Sequence, residues 1–334
     1  MENVFKVVVA PRIHQSGLDL LESRADVRYE VLEDVSEASM RRAFADADGV
    51  VIRAMPVPRS VFETAKRLKI VSRHGVGYNN VDIDQLTDLG IPLALTIDAN
   101  ALSVAEQTMF FLLALAKNGL VYDRATRENR FGIRESLNCI DISGKTLLIV
   151  GLGRIGRMVA ERAKVFGMKV AVLDPMVSSE SIIAAGCAPV ATLADALPRA
   201  NFLTVHVPLV KQTKGMIGAA EFALMPPGAC VINTARGGIV DEKALFEALK
   251  GGRLRGAALD VLEQEPPAPD NPLLKLDSII LSPHSAGLTV ECAERMAIAS
   301  VQNLLDGLGG TLDPATVANR QVLQPANNGV AAKR

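Results

Sequence analysis

Three glycines constrain this chain more than anything else in it. Gly151, Gly153 and Gly156 stand in the pattern G-x-G-x-x-G, after the apolar run Leu147–Val150 and before apolar positions at helical spacing, Ile155, Val159, Ala163 and Phe166. A run that short, followed at once by glycine, reads as a buried strand, and the period then switches to that of a helix. Lys169–Asp174 reads as a second strand that ends on an acid. Each glycine serves a different purpose. Gly151 makes the tight turn, Gly153 lets backbone approach a pyrophosphate, and Gly156 lets helix lie close on strand. The helix start offers unpaired N–H groups and about half a positive charge to an anion. Asp174 lies 18 positions past Gly156, where a carboxylate accepts bonds from adenosine ribose hydroxyls. Strand, glycines, helix and acid together predict a dinucleotide site. No Arg or Lys occupies 175–179 to hold a 2′-phosphate, so the acid points to NAD over NADP.

Composition agrees with such a fold. The 334 residues suit two domains, and they are rich in aliphatic side chains with no Trp, as in parallel sheets covered on both faces. With 36 basic and 37 acidic residues, nothing marks a nucleic-acid or polyanion surface. Cys139, Cys187, Cys230 and Cys292 lack metal-ligand spacing and read as reduced thiols, with no metal site. The start of the chain has no signal-type apolar core, and the run Met109–Ala116 is too short to span a bilayer. A cytoplasmic protein that touches no membrane is the expectation.

Along the chain, Val4–Ala10, Val27–Val31, Gly49–Ile52, Ile70–Ser72 and Pro92–Leu95 read as strands, with helices at Gly17–Ser23 and Glu37–Phe44 among the segments between them. A second β/α series starts at Lys145. Two series in tandem predict two parallel sheets and a cleft between two domains. Ser103 reads as the N-cap of a connecting helix with Glu106 at capping-box spacing. That helix runs to about Lys117 and is apolar nearly all round, as in a buried or dimer-forming helix. Thr289–Leu305 is a long helical pattern whose sequel crosses back to the first series. The expected domains are therefore 1–100 plus 290–334, for substrate, and 101–289, for NAD, inserted into the first. Pro325–Arg334 reads as disordered.

Ligands in an open parallel sheet bind outside the carboxyl ends of its strands. In the second series those ends carry Gly151, Asp174, His206 with Val207 and Pro208, Thr234-Ala235-Arg236, Asp260 with Glu263 and Glu265, and Pro283-His284-Ser285-Ala286-Gly287. A nicotinamide cofactor carries hydride, and the protein moves a proton and holds the substrate. Histidine is the natural proton carrier near neutral pH. Of the four, His14 reads as a surface residue, His74 lies in a glycine turn, and His206 follows a strand core as a structural or cofactor-lining group. His284 is the candidate acid/base. Glu265 can orient its imidazole and stabilise the imidazolium form. Arg236 suits bidentate binding of a 2-oxo acid.

These residues together resemble the D-isomer-specific 2-hydroxyacid dehydrogenase family over nearly the whole chain. The resemblance rests on Gly151–Gly156, on Asn233–Asp241, on Ala258–Pro266 and on Ser282–Gly287. In the first series it rests on Arg73–Asp82 and Ser103–Thr108. It implies two Rossmann-like doubly wound domains, dimerising through the nucleotide domain. Arg236 would bind and polarise the 2-oxo carboxylate, His284 would exchange the proton, and Glu265 would be its partner. Val76 and Gly77 would hold the substrate carboxylate through backbone. Cofactor contacts would run over Thr108, Gly151, Gly153, Arg154, Ile155, Gly156, Asp174, His206, Val207, Pro208, Thr213, Thr234, Ala235, Arg236, Asp260, His284, Ala286 and Gly287. Gln107 departs from a common histidine, and Phe131–Ile133 lacks a tryptophan common in the family.

The implied activity is reversible hydride transfer between NAD(H) and a small 2-hydroxy/2-oxo acid. Arg53 resembles the phosphate-binding arginine of phosphoglycerate dehydrogenases, which favours 3-phosphoglycerate; bracing the substrate loop is the equal alternative for it. The chain is too short for the regulatory domain of the larger ones. Glyoxylate, hydroxypyruvate, lactate or sulfolactate chemistry remain alternatives, while formate dehydrogenases carry Gln where Glu265 stands. A second class, NAD-sensing corepressor-like scaffolds, shares the fold; the Arg236, Glu265 and His284 set favours an enzyme.

Overall fold

The structure is a computed structural model, and it describes residues 4–78 and 80–323. In chain order the first elements are β1 (Phe5–Ala10), α1 (Gln15–Glu22), β2 (Val27–Val31), α2 (Glu37–Phe44), β3 (Gly49–Ile52), α3 (Arg59–Thr64), β4 (Ile70–Arg73), α4 (Ile83–Asp88) and β5 (Leu93–Leu95). Then come α5 (Ala101–Lys117), α6 (Gly119–Arg127), β6 (Thr146–Val150), α7 (Arg154–Val165), β7 (Lys169–Leu173), α8 (Ser179–Ala184), β8 (Ala188–Pro189), α9 (Leu193–Ala196) and β9 (Phe202–Val205). The series closes with α10 (Ala219–Leu224), β10 (Ala229–Asn233), α11 (Glu242–Lys250), β11 (Leu254–Leu259), β12 (Ile279–Leu281) and α12 (Val290–Gly309). The chain forms two compact units, one of residues 1–100 with 288–334 and one of 101–287.

The first unit holds a five-stranded parallel sheet in the order β2-β1-β3-β4-β5. The inner strands β1 and β3 are apolar at successive positions, Val7–Ala10 and Val50–Ile52, because both faces are covered. Val7 and Val9 of β1 join one core, with Leu18 and Leu21 of α1, and Val8 and Ala10 join the other, with Met40 and Phe44 of α2. α12 completes the first of these cores with Ala297, Val301 and Leu304. Ser72 Oγ donates to the Ser300 carbonyl at 2.7 Å. Beyond α12, Asn319 accepts from Leu93 N–H at 2.8 Å and donates to the Ile91 carbonyl at 2.9 Å. These bonds return the end of the described chain to β5. The expectation for Pro325–Arg334 lies outside the described residues.

The second unit holds a seven-stranded parallel sheet in the order β12-β11-β10-β9-β6-β7-β8. Chain order reverses at β6, beside β9, the switch point where ligands of such sheets bind. β6 alternates between two cores: Leu147 and Ile149 face α5 and α7, and Leu148 and Val150 face the side of Phe222 and Leu245. Both sheets are doubly wound and Rossmann-like.

One local expectation fails. Ser103 is not an N-cap: α5 starts at Ala101, and Ser103 is buried inside it. Ala and Leu are strong helix formers, so the helix extends back through Ala101 and Leu102 to the turn at 97–100. The first helix begins at Gln15 rather than Gly17, and the last runs on to Gly309 rather than ending at Leu305. The edge strand β8 was not foreseen, because an isolated pair of residues has no period.

Leu304 is wholly buried and Val165 is 88 % exposed. Leu304→Ala should cost about 2–5 kcal/mol in denaturant unfolding, and Val165→Ala about 0.5 kcal/mol or less. Equal effects would mean that α12 does not complete the core of the first unit.

Candidate active site

The glycine turn between β6 and α7 is a matter of contact distances. Gly151 has φ +97°, and a Cβ there would lie 2.7 Å from the His206 carbonyl oxygen. A Cβ at Gly156 would lie 2.1 Å from the Gly151 carbonyl oxygen, so any side chain would lever α7 off the turn. At Gly153 nothing lies within 4 Å of a Cβ position, and this N-cap of α7 makes no side-chain capping bond. No side chain caps this end of α7, and a helix N-terminus is where an anion binds. Asp174, just past β7, accepts from Leu152 N–H at 2.7 Å and Met176 N–H at 2.8 Å. Both carboxylate oxygens are fixed at the turn and keep lone pairs for hydroxyl donors. These features fit a dinucleotide.

Past β9, His206 Nε2 pairs with Thr204 Oγ1 at 3.1 Å, and the ring's Nδ1 is buried with no hydrogen-bond partner among the described residues. Thr213 Oγ1 donates to the Pro208 carbonyl at 2.6 Å and accepts from Val210 N–H at 2.9 Å. Its hydroxyl thus shapes the 207–213 loop. Thr108 of α5 and Thr234 after β10 are both buried, and their hydroxyls meet at 3.0 Å.

The turn after β10 is built by Asn233. Its side chain accepts from Ala235 N–H and donates to the Arg236 carbonyl, each at 2.9 Å, an Asx turn that presents Arg236. Arg236 Nη1 donates to the Ala235 carbonyl at 2.6 Å. Burial lowers its pKa, against the charge of Glu265, and guanidinium stays charged regardless.

Asp260, after β11, is 2 % exposed. Its carboxylate accepts from Ser282 Oγ, from Ser285 N–H at 2.9 Å and from Ala286 N–H at 3.0 Å. Its own carbonyl accepts from His284 N–H at 2.8 Å. This net holds His284 at φ +51°, a left-handed conformation uncommon for a side-chain-bearing residue. There His284 Nδ1 lies 2.7 Å from Glu265 Oε2, and Glu265 Oε1 accepts from Leu262 N–H at 3.0 Å. The expected histidine and carboxylate are therefore in contact. With Nδ1 held by the acid, Nε2 is the ring atom left to exchange a proton.

Sequence reading missed Asn233 and the serines on Asp260. Asn at a strand end before Thr-Ala-Arg-Gly-Gly is a turn signal that could have found the first; the serines have no such signal. In the first unit, Arg53 Nη1 donates to the Arg12 carbonyl at 3.1 Å. Asn80 donates to the carbonyls of Arg53 at 3.3 Å and Met55 at 2.6 Å, fastening the 74–82 loop beside Arg53. Gly75 has φ +141°, so the bend before Val76 and Gly77 needs glycine. His14 is exposed and caps α1. His74 is buried, and its Nε2 has no hydrogen-bond partner among the described residues.

Comparison with known proteins places the chain among related sequences and folds. The family model for the D-isomer specific 2-hydroxyacid dehydrogenase NAD binding domain matches residues 109–286. A D-3-phosphoglycerate dehydrogenase of Methanocaldococcus jannaschii is 40 % identical over 310 residues, covering 92 % of this chain and 58 % of that protein. A glyoxylate reductase of Korarchaeum cryptofilum is 35 % identical over 326 residues, covering 96 % and 97 %. A crystal structure of a Thermus thermophilus protein superposes with TM-score 0.82 at 30 % identity, covering 94 % of this chain and 99 % of that one. The chain spans about three fifths of the length of the first two curated relatives it matches, at 58 % and 60 %.

Two buried imidazoles give the fold an acid limit. Burial, with the Arg53 and Arg73 charges adding to it, holds His74 down at about 4, against 6.5 for a free ring. Burial holds His206 down at about 3. Below pH 6.5 the unfolded chain binds protons that the folded one refuses, so stability is full above that pH and is lost as pH falls toward 4. For His74 alone the loss is on the order of 3 kcal/mol. Thermal midpoints should fall between pH 6.5 and 4, and His74→Asn should flatten that fall. A midpoint constant across the window would contradict the burial of both rings.

Proposed function

The chain belongs to the D-isomer specific 2-hydroxyacid dehydrogenase family, and from that premise we propose that it is an NAD-dependent oxidoreductase interconverting a small 2-hydroxy acid and its 2-oxo acid. The observation that carries the proposal is the 2.7 Å contact of His284 Nδ1 with Glu265 Oε2. It lies in the unit that also carries the glycine turn and Arg236. NADH, when bound, supplies the hydride. Gly151, Gly153, Arg154, Ile155, Gly156 and Asp174 are the proposed holders of its pyrophosphate and adenosine ribose. Thr108, His206, Val207, Pro208, Thr213, Thr234, Ala235, Asp260, Ala286 and Gly287 complete the proposed cofactor set.

Arg236 holds the substrate carboxylate and stabilises charge that develops on the carbonyl oxygen. His284 Nε2 gives that oxygen its proton in reduction and takes it back in oxidation. Glu265 fixes the ring and stabilises the imidazolium form. The balance is one 2-oxo acid, one NADH and one proton to one 2-hydroxy acid and one NAD.

The proposed substrate domain is residues 1–100 with 290–334, with the backbone at Val76 and Gly77 for the carboxylate. Residues 101–289 form the proposed nucleotide domain. Arg53 favours an anionic tail, and 3-phosphoglycerate is the substrate we assign. The Methanocaldococcus jannaschii relative supports that choice. The Korarchaeum cryptofilum glyoxylate reductase, which matches over nearly its whole length, favours glyoxylate as the second reading. A homodimer and a cytoplasmic location belong to the same proposal.

NADH oxidation with 3-phosphohydroxypyruvate, hydroxypyruvate, glyoxylate, pyruvate and sulfopyruvate decides among these. The phosphorylated acid should give the highest kcat/KM, and Arg53→Ala should raise its KM most. His284→Ala should cut kcat by roughly 10²- to 10⁴-fold with NADH binding kept; normal turnover would remove His284 from the mechanism. NAD-dependent oligomerisation without turnover on any acid would favour a scaffold instead. NADP should serve less well than NAD, because Asp174 repels a 2′-phosphate. Equal use of both would overturn that role.

A further inference from the structure

The strap 262–266 carries Glu265, and its one internal side-chain bond, Leu262 N–H to Glu265 Oε1 at 3.0 Å, does not tie it to the rest of the unit. Two residues outside it do. The peptide joining Leu262 and Glu263 lies flat on the α-carbon of Gly237, next in chain to Arg236. A Cβ at Gly237 would lie 1.9 Å from the Leu262 carbonyl oxygen, 2.2 Å from its carbon and 2.7 Å from Glu263 N. All three are backbone atoms, so no side chain could turn aside to make room. On another side of the same peptide, Glu263 N–H donates to Glu242 Oε1. Glu242 is in the first turn of α11, which is N-capped by Asp241. Its other oxygen accepts from Asn271 Nδ2 at 3.3 Å.

From this clamped peptide the path to the proton is short. Leu262 N–H holds one oxygen of Glu265 at 3.0 Å, and the other oxygen meets His284 Nδ1 at 2.7 Å. Displacing the peptide displaces the carboxylate. We propose that Gly237 and Glu242 are positioning residues, which clamp the 262–263 peptide between them and so set the contact of Glu265 with His284. The proposal rests on the reading of Glu265 and His284 as the proton relay. Glu242 is also held against its surroundings: burial raises its pKa, and the charges of Glu263 and Glu265 add to this, while the Glu263 and Asn271 donors lower it. Both of its oxygens accept N–H bonds, and a glutamine oxygen can keep the one from Glu263 that holds the peptide.

The test uses Gly237→Ala, Glu242→Ala and Glu242→Gln in the full chain, with Glu265→Gln as reference. One readout needs no turnover: the low-field Nδ1–H proton resonance of His284, resolvable among four histidines. Wild type should show it, and Glu265→Gln should move it upfield. Gly237→Ala and Glu242→Ala should do the same, and Glu242→Gln should keep it in place. The second readout is NADH oxidation with the panel acid turned over fastest. There Gly237→Ala and Glu242→Ala should lose roughly 10- to 100-fold in kcat, with NADH affinity and KM within about twofold, and Glu242→Gln should retain most of the rate. If Gly237→Ala does not fold, the Glu242 pair decides. Absence of the resonance in wild type, its persistence in Glu242→Ala, or equal damage by Gln and Ala at 242 would overturn the proposal. If no panel acid is turned over, the enzyme reading falls while the resonance still decides the clamp.

Discussion

Asp260, through its backbone and its carboxylate together, ties the strand ends on which the candidate site depends. Its backbone N–H reaches the Asn233 carbonyl at 2.9 Å, and its carbonyl receives the N–H of His284 at 2.8 Å. Its two oxygens collect Ser282, Ser285 and Ala286. An acid that is 2 % exposed is costly unless its lone pairs are filled, and here the loop that follows β12 fills them. Three strand ends, β10, β11 and β12, are thereby fixed to one another. The left-handed backbone at His284 is a consequence of that net. So is the direction of its ring toward Glu265.

Glycine supplies the complementary device, close approach without a side chain. Gly156 brings α7 against the turn at Gly151, and Gly237 brings the Arg236 turn against the strap of Glu265. In each case the contact is backbone on backbone, which rotamer changes cannot relieve. Hydrogen-bonded carboxylates and side-chain-free contacts thus have separate roles: acids hold loops to strand ends, and glycines let two backbones meet. The proposed chemistry draws on both, because proton exchange needs the ring, its partner and the guanidinium held to within about half an ångström.

Much of this was legible in the sequence. The runs at Val7–Ala10 and Leu147–Val150 read as doubly covered strands because the apolar pattern is continuous, and each run divides its side chains between two cores. Glu265 and His284, 19 positions apart, could be paired from sequence because successive parallel strands deliver their ends to the same sheet edge. Ser103 misled, since a capping spacing inside a run of strong helix formers is outweighed by propensity. The hydroxyl of Thr213 gave no sign that it shapes its own loop, because side-chain to backbone bonds depend on local dihedral angles.

By itself, then, the sequence determined the two β/α series, the glycine turn, the acid after β7 and the identity of the groups at the strand ends. Those features are local, written in periods of two and 3.6 residues and in the steric needs of single positions. Tertiary structure alone decided that Thr108 meets Thr234, that His74 and His206 are buried neutral, and that Gly237 and Glu242 grip one peptide. Those features join residues distant in the chain, as where the hydroxyls of Thr108 and Thr234 meet at 3.0 Å. Their physical basis is close packing and the exclusion of water, which belong to no single stretch of the chain.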